Sequence, residues 1–144
     1  WDEANSSRNG HFNFDHVLGG PAGVMCLNSK RRQDRLDVDE RGQVGLTGRY
    51  DDERTWPGND MIRQAKGDAC TLKQRIERQT GESKLWVQPV IVWWGDFPAG
   101  TARVNDVDIV HGDKLVDWLA HQPAKGLRNQ AAVAEALKPG RRRR

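Results

Sequence analysis

Two apolar runs flank a glycine-proline cluster between Phe12 and Lys30, and no other stretch restricts the fold as tightly. Phe14, Val17 and Leu18 lead into Gly19-Gly20-Pro21-Ala22-Gly23, and Val24, Met25, Cys26 and Leu27 lead out. Short apolar runs bounded by Gly and Pro are the mark of a β-hairpin. With Gly20 to Gly23 as the loop and Gly19 opposite Val24, Asp15 falls opposite Asn28. Side chains alternate faces along a strand, so Asn28 and Lys30 share a face. Directly opposed residues on one face stand roughly 5 Å apart at Cβ. This register therefore gathers a carboxylate, an amide and an ammonium at the open end of the hairpin. A slip of one residue would scatter them.

The remainder of the chain alternates short strand signals with helical ones. Arg31, Arg32 and Arg35 lie in and beside a charged turn. Leu36-Asp37-Val38 and Gln43-Val44-Gly45-Leu46 read as a short, polar hairpin at a sheet edge, where charge discourages unwanted pairing. Residues 47–59 read as a loop. Met61, Ile62, Ala65, Ala69, Leu72 and Ile76 recur in steps of three and four. They predict a helix from Asp60 to Thr80, capped by Asn59 or Asp60 and stopped by Gly81. Trp86 to Trp94 is the most apolar stretch and reads as a buried central strand, with Pro89 delaying its start to Val90. Val107 to Val110 predict a further strand ending at His111-Gly112. Asp113 then caps a helix carrying Leu115, Val116, Trp118 and Leu119, and a last helix carries Ala132, Val133, Ala136 and Leu137.

A chain of 144 residues is long enough for one core. The expected division is a single domain over 1–138 and a basic tail over 139–144. Removing the four charges of Arg141 to Arg144 turns the formal net charge of +3 into −1, so bulk charge does not argue for nucleic acid. Cys26 and Cys70 are too few for a disulfide framework and read as reduced thiols. No run approaches the roughly 18 apolar residues of a membrane span. The four histidines show no zinc spacing with cysteine. His16 faces away from Asp15 by alternation, and Trp93, Trp94 and Trp118 sit in apolar patterns that favour packing over base stacking. No Gly-rich phosphate loop, nucleophile elbow or internal repeat is present.

An acid on one strand and an acid-x-Lys on the next is how nucleases of the PD-(D/E)xK type hold a divalent metal. This chain carries Asp15-His16, Gly20-Pro21-Ala22-Gly23-Val24 and Asn28-Ser29-Lys30 in that order. The whole phrase resembles the NERD (nuclease-related) domain, with Asn28 in place of the second acid. The resemblance implies an α/β fold with a restriction-endonuclease-like core: a mixed central sheet of about four to five strands flanked by helices. It implies Mg²⁺ or Mn²⁺ held by Asp15 and Asn28, with Lys30 orienting the attacking water. Asn59-Asp60-Met61-Ile62-Arg63-Gln64-Ala65 resembles the family's Asn-Pro-x-x-Gln-Ala phrase without its Pro, which makes Gln64 a further site residue. Family members also carry an upstream helix bearing a Glu. No such helix is legible in residues 1–10, so it either precedes Trp1 or is lacking.

The implied partner is nucleic acid, DNA before RNA, in a bacterial cytoplasm. Arg31, Arg32 and Arg35 are then a phosphate-contacting lip, or else a solvated turn. Asn28 keeps an oxygen but removes a negative charge beside a dication, a loss on the order of a few kcal/mol at an effective dielectric near 20. Three readings follow: a nuclease, weakened or not; an inert NERD-like module that binds nucleic acid or protein; and an interaction domain in which Lys30 only pairs with Asp15. An extra acid folded close to Asp15 and Asn28 favours the first.

Overall fold

The computed structural model describes residues 16–20, 23–48, 55–82 and 84–123. Asp15, the helix expected after residue 129 and the tail over 139–144 lie outside the described residues. In chain order the elements are β1 (His16–Gly20), β2 (Gly23–Lys30), β3 (Arg35–Val38), β4 (Val44–Thr47), β5 (Thr55–Pro57), α1 (Asn59–Thr80), β6 (Val87–Trp93), β7 (Thr101–Val104), β8 (Val107–His111), a 3-10 turn (Gly112–Lys114) and α2 (Leu115–Ala120).

A five-stranded mixed sheet in the order β1-β2-β6-β8-β7 forms the centre. β1 runs antiparallel to β2 with Gly19 opposite Val24, which is the register the glycine cluster predicts. β2, β6 and β8 are parallel, and Asn28 pairs with Ile91 and Lys30 with Trp93. Parallel neighbours need a crossover, and α1 supplies it between β2 and β6. This is the α/β architecture expected, consistent with a restriction-endonuclease-like core.

The alternation of buried residues assigns the two faces. Val17, Val24, Cys26 and Val87 pack with Ala69, Leu72 and Ile76 of α1. Ile91, Trp93 and Ile109 pack with Ile62 and Ala65. On the other face Met25, Leu27, Val90, Val92 and Val110 meet Leu115, Trp118 and Leu119. Ile62, Leu72, Ile76 and Ile91 are each at most 1% exposed. Burial of each such side chain stabilises the fold by roughly 1.5–3 kcal/mol. The N-terminal half of α1 thus lies against the ends of β6 and β8, and its C-terminal half against the starts of β2 and β6.

Several local expectations are corrected. The β3–β4 hairpin is not an edge of the main sheet: with β5 it forms a separate three-stranded sheet. Leu36, Val44 and Leu46 are buried beside Ile62 and Trp93, so its charged composition hides an apolar face. Pro89 lies inside β6, paired with Cys26. Pairing of β6 with β8 starts only at Val90, so a missing N–H costs nothing on that side. β7 is a strand that the sequence reading leaves unassigned. It closes on β8 through Asn105 and Asp106, whose φ values of 50° and 67° make the tight hairpin turn that Asn and Asp tolerate.

Neither Asn59 nor Asp60 caps α1. Gly58 occupies the cap position, where a Cβ would come 2.7 Å from Val44 Cγ1. Asn59 Oδ1 instead accepts from the Val44 N–H at 3.0 Å and ties α1 to the small sheet. Gly81 ends α1 in the left-handed conformation, as expected. Asp113 does not cap α2, whose cap position is Lys114 with no side-chain bond; the ring of His111 caps the preceding 3-10 turn, accepting from the Asp113 N–H at 3.0 Å. No described helix is long and apolar enough to cross a membrane.

Candidate functional site

Asn28 and Lys30 stand at the end of β2 on the face covered by α1, one turn of the pleat beyond Val24 and Cys26. The β1–β2 register is described as far as His16 opposite Leu27; Asp15 itself falls outside the described residues. His16 and Leu27 belong to the opposite face, as alternation predicts.

Asn28 is only 6% exposed, and its Nδ2 has no hydrogen-bond partner among the described residues. Leaving a buried amide unsatisfied costs about 1–3 kcal/mol, so such groups are rare and need an explanation. Rotating the amide by half a turn exchanges Nδ2 for Oδ1. The open position can therefore present a donor to a phosphate oxygen or an oxygen to a hard cation. Lys30 is half-buried beside it and forms no ion pair among the described residues. Its charge is available to a ligand.

Gln64 is exposed on α1. Which way it faces follows from the opposite flank of the helix. Lys66, Ala69 and Cys70 line a groove with Trp86, Pro89 and Asp106, so that flank looks toward β8 and the β7–β8 turn. An α-helix turns about 100° per residue, which puts position 68 about 160° away from both 66 and 70. The flank that carries Gln64 and, one turn on, Asp68 therefore looks toward β2. Asp68 is 8% exposed, one of the few buried acids described.

Height along the sheet agrees. A parallel strand rises about 3.3 Å per residue and a helix about 1.5 Å. Taking Ile76 as level with Val24, its companion in the core, four strand residues to Asn28 match about nine helical residues, which reaches position 67 or 68. On these rises Asp68 falls within about a helical turn of the level of Asn28, with Gln64 one turn nearer to that of Lys30. Sequence reading passed over Asp68. Its signal was present: an acid three residues after Ala65 and four before Leu72, interrupting the apolar stripe.

The three arginines of the expected lip do not act alike. Arg32 pairs with Asp34 and Arg35 with Asp37, both at 3.0 Å. Arg31 has no acidic partner among the described residues, and its guanidinium lies over the Trp94 ring, 5.6 Å from the centroid. Trp94 corrects the packing assignment made from sequence: it is 42% exposed, just past β6. Its indole N–H donates to Ser29 Oγ at 2.8 Å. Ser29 points away from α1, so Arg31 and Trp94 flank the end of the sheet on the face opposite Asn28. A cleft of about 430 Å³ opens beside them, lined by Arg35, Thr47, Trp94 and Asp96 among others.

Among the described residues, no three His, Cys, Asp or Glu side chains gather as a metal cluster. The donors of this face are oxygens and amides, which suit Mg²⁺ or Mn²⁺ rather than zinc, and Mg²⁺ commonly keeps several waters with one or two protein carboxylates. The Asn28 amide can give such an ion one neutral oxygen, and the carboxylate would have to come from another residue. The model of one protein family, the nuclease-related domain (NERD), matches residues 3–94. Neither a curated protein nor a solved structure matches the chain.

Proposed function

Since the chain belongs to the nuclease-related domain family, we propose that it hydrolyses phosphodiester bonds in nucleic acid, DNA foremost, with Mg²⁺ or Mn²⁺. The observation that carries this reading is the buried Asn28 amide, whose Nδ2 has no hydrogen-bond partner among the described residues, beside Lys30, whose ammonium has no ion pair among them. Asp15, which precedes β1 in the chain, is the expected anionic ligand, and Asn28 the neutral one from β2. A bound dication supplies Lewis-acid stabilisation of the phosphoryl charge and a more acidic water. Lys30 sets a positive charge where the phosphoryl oxygens gain negative charge, and orients the attacking water. Gln64, at the solvent edge of the same flank, holds a phosphate oxygen or that water through its amide. Cys26 and Cys70 form no disulfide among the described residues, which fits a reducing cytoplasm.

Calorimetric titration of Mn²⁺ and Mg²⁺ tests the reading, with Asp15→Ala alongside. Binding in the micromolar to low-millimolar range that Asp15→Ala abolishes is the expected result, followed by cleavage of plasmid, single-stranded DNA or RNA. No binding at several millimolar metal removes the hydrolase reading. The neutral residue at position 28 favours a second one, a module that binds nucleic acid without cutting it.

Both readings give Arg31 the same task. Its guanidinium is held in place by Trp94 and by no acid among the described residues. Arg31→Ala is expected to weaken DNA binding uniformly across sequences and to lower the slope of log K against log salt by about one. Fluorescence anisotropy at four salt concentrations checks this; an unchanged slope would remove Arg31 from the interface.

A further inference from the structure

We infer that Asp68 is the carboxylate that takes the place of the acid missing at position 28. This rests on the metal-dependent reading above and extends it to a residue outside the hairpin phrase. Two observations of burial and one argument from helix and strand geometry converge. Asp68 is 8% exposed on the flank of α1 that looks toward β2. The rises of strand and helix bring it to within about a helical turn of the level of Asn28. Asn28, 6% exposed, keeps an open polar atom on that same face.

The chemistry explains why an acid belongs there. Asn28 offers a cation an oxygen but no charge, and Asp15 alone is a single anionic ligand. A second carboxylate reaching in from the helix restores the charge of a two-acid site without an acid on β2. It also counterbalances Lys30, the cation of this face, when no metal is bound. A carboxylate sunk in an apolar helix face is otherwise costly, because burial of an ion is offset only by a facing charge or good hydrogen bonds. Asp68 has interactions of its own within the fold, so the test must separate a structural role from a ligand role.

Mn²⁺ titrations of the unaltered chain, Asp68→Asn, Asp15→Ala, Asn28→Asp and the double variant Asn28→Asp/Asp68→Asn make that separation. Asp68→Asn is expected to weaken Mn²⁺ by about tenfold or more, which is about 1.4 kcal/mol. Asn28→Asp is expected to raise affinity more in the Asp68→Asn background than in the unaltered chain, because there it fills an empty ligand position; equal gains in both backgrounds mark a purely structural Asp68 and overturn the inference. Wild-type affinity in Asp68→Asn, with binding lost in Asp15→Ala, overturns the assignment of Asp68 and leaves the proposed function standing. Absence of binding by the unaltered chain overturns both. A second measurement needs no folded variant. Fe²⁺ with ascorbate, substituted for Mn²⁺ in the unaltered chain, generates radicals that cut the nearby backbone. Cuts around both Asn28 and Asp68 are expected, and cuts around Asn28 alone overturn the inference.

Discussion

Lys30→Ala is expected to lower kcat for DNA cleavage by about 10²–10³-fold while leaving the fold intact. Removing one preorganised donor from a site of charge development costs that much in well-studied hydrolases, or about 3–4 kcal/mol of transition-state stabilisation. Two features of Lys30 point the same way. It is half-buried at the end of β2, where screening by water is reduced, and it has no ion pair among the described residues. Its loss breaks no described hydrogen bond or ion pair, so the fold should survive, with a stability loss of about 1–2 kcal/mol from the half-buried stem and the charge removed from this face. Lys30→Arg keeps the charge but replaces a compact ammonium with a planar fork, so recovery should be partial. Single-turnover cleavage in Mn²⁺, with a thermal melt of each variant, checks both halves. Cleavage within threefold of the unaltered chain would remove Lys30 from the chemistry.

The second large effect concerns stability. Trp93→Ala is expected to destabilise the domain by about 3–5 kcal/mol, the range for truncating a buried aromatic. Trp93 is fully buried at the end of β6, in the cluster where α1, the small sheet and the β7–β8 hairpin meet. Its indole N–H also donates to the Asp34 carbonyl at 3.1 Å. That bond anchors the turn that carries Arg31 and Arg32, and Arg32 lies 5.9 Å from the ring centroid. The adjoining Gly95 leaves no slack: a Cβ there would stand 2.4 Å from the Arg32 carbonyl and 2.6 Å from that of Asp34. Loss of the indole thus opens a cavity and frees the arginine turn together. Urea unfolding should show the midpoint falling with little change in slope. A melting temperature lower by roughly 10–15 °C is the thermal counterpart. A loss under about 1 kcal/mol would contradict this account of the core.

How far the hairpin phrase could be read is instructive. Gly19 opposite Val24 follows from a loop of fixed length, and the alternation of faces then follows without further information. Helix α1 was equally legible, because its apolar steps recur from Met61 to Ile76 and Gly81 marks its end. Trp94 was not. In sequence it continues an apolar run, yet it lies one residue beyond β6, where the core has ended and the chain turns at Gly95. Propensity describes a residue's neighbours along the chain, whereas exposure depends on what covers it in space. β7 was missed for a different reason. Thr101 to Val104 alternate weakly, and the Asn105-Asp106 turn that pairs them with β8 was the better signal.

Sequence by itself determined the register of β1 on β2, the pairing of Asn28 and Lys30 on one face, and the family to which that phrase belongs. These are short-range properties, set by turn length, by the two-residue repeat of a strand and by residue order. Tertiary structure alone decided which flank of α1 faces the β7–β8 turn, the one that carries Lys66 and Cys70, and that Asp68 on the other flank is buried. It also sent Arg31 to the opposite face from Lys30. Periodicity defines the buried stripe of a helix but not which strand lies under each side of it. That choice belongs to the crossover from β2 to β6 and to the packing of Ile62, Ala65 and Leu72 beneath it, contacts between residues far apart in the chain.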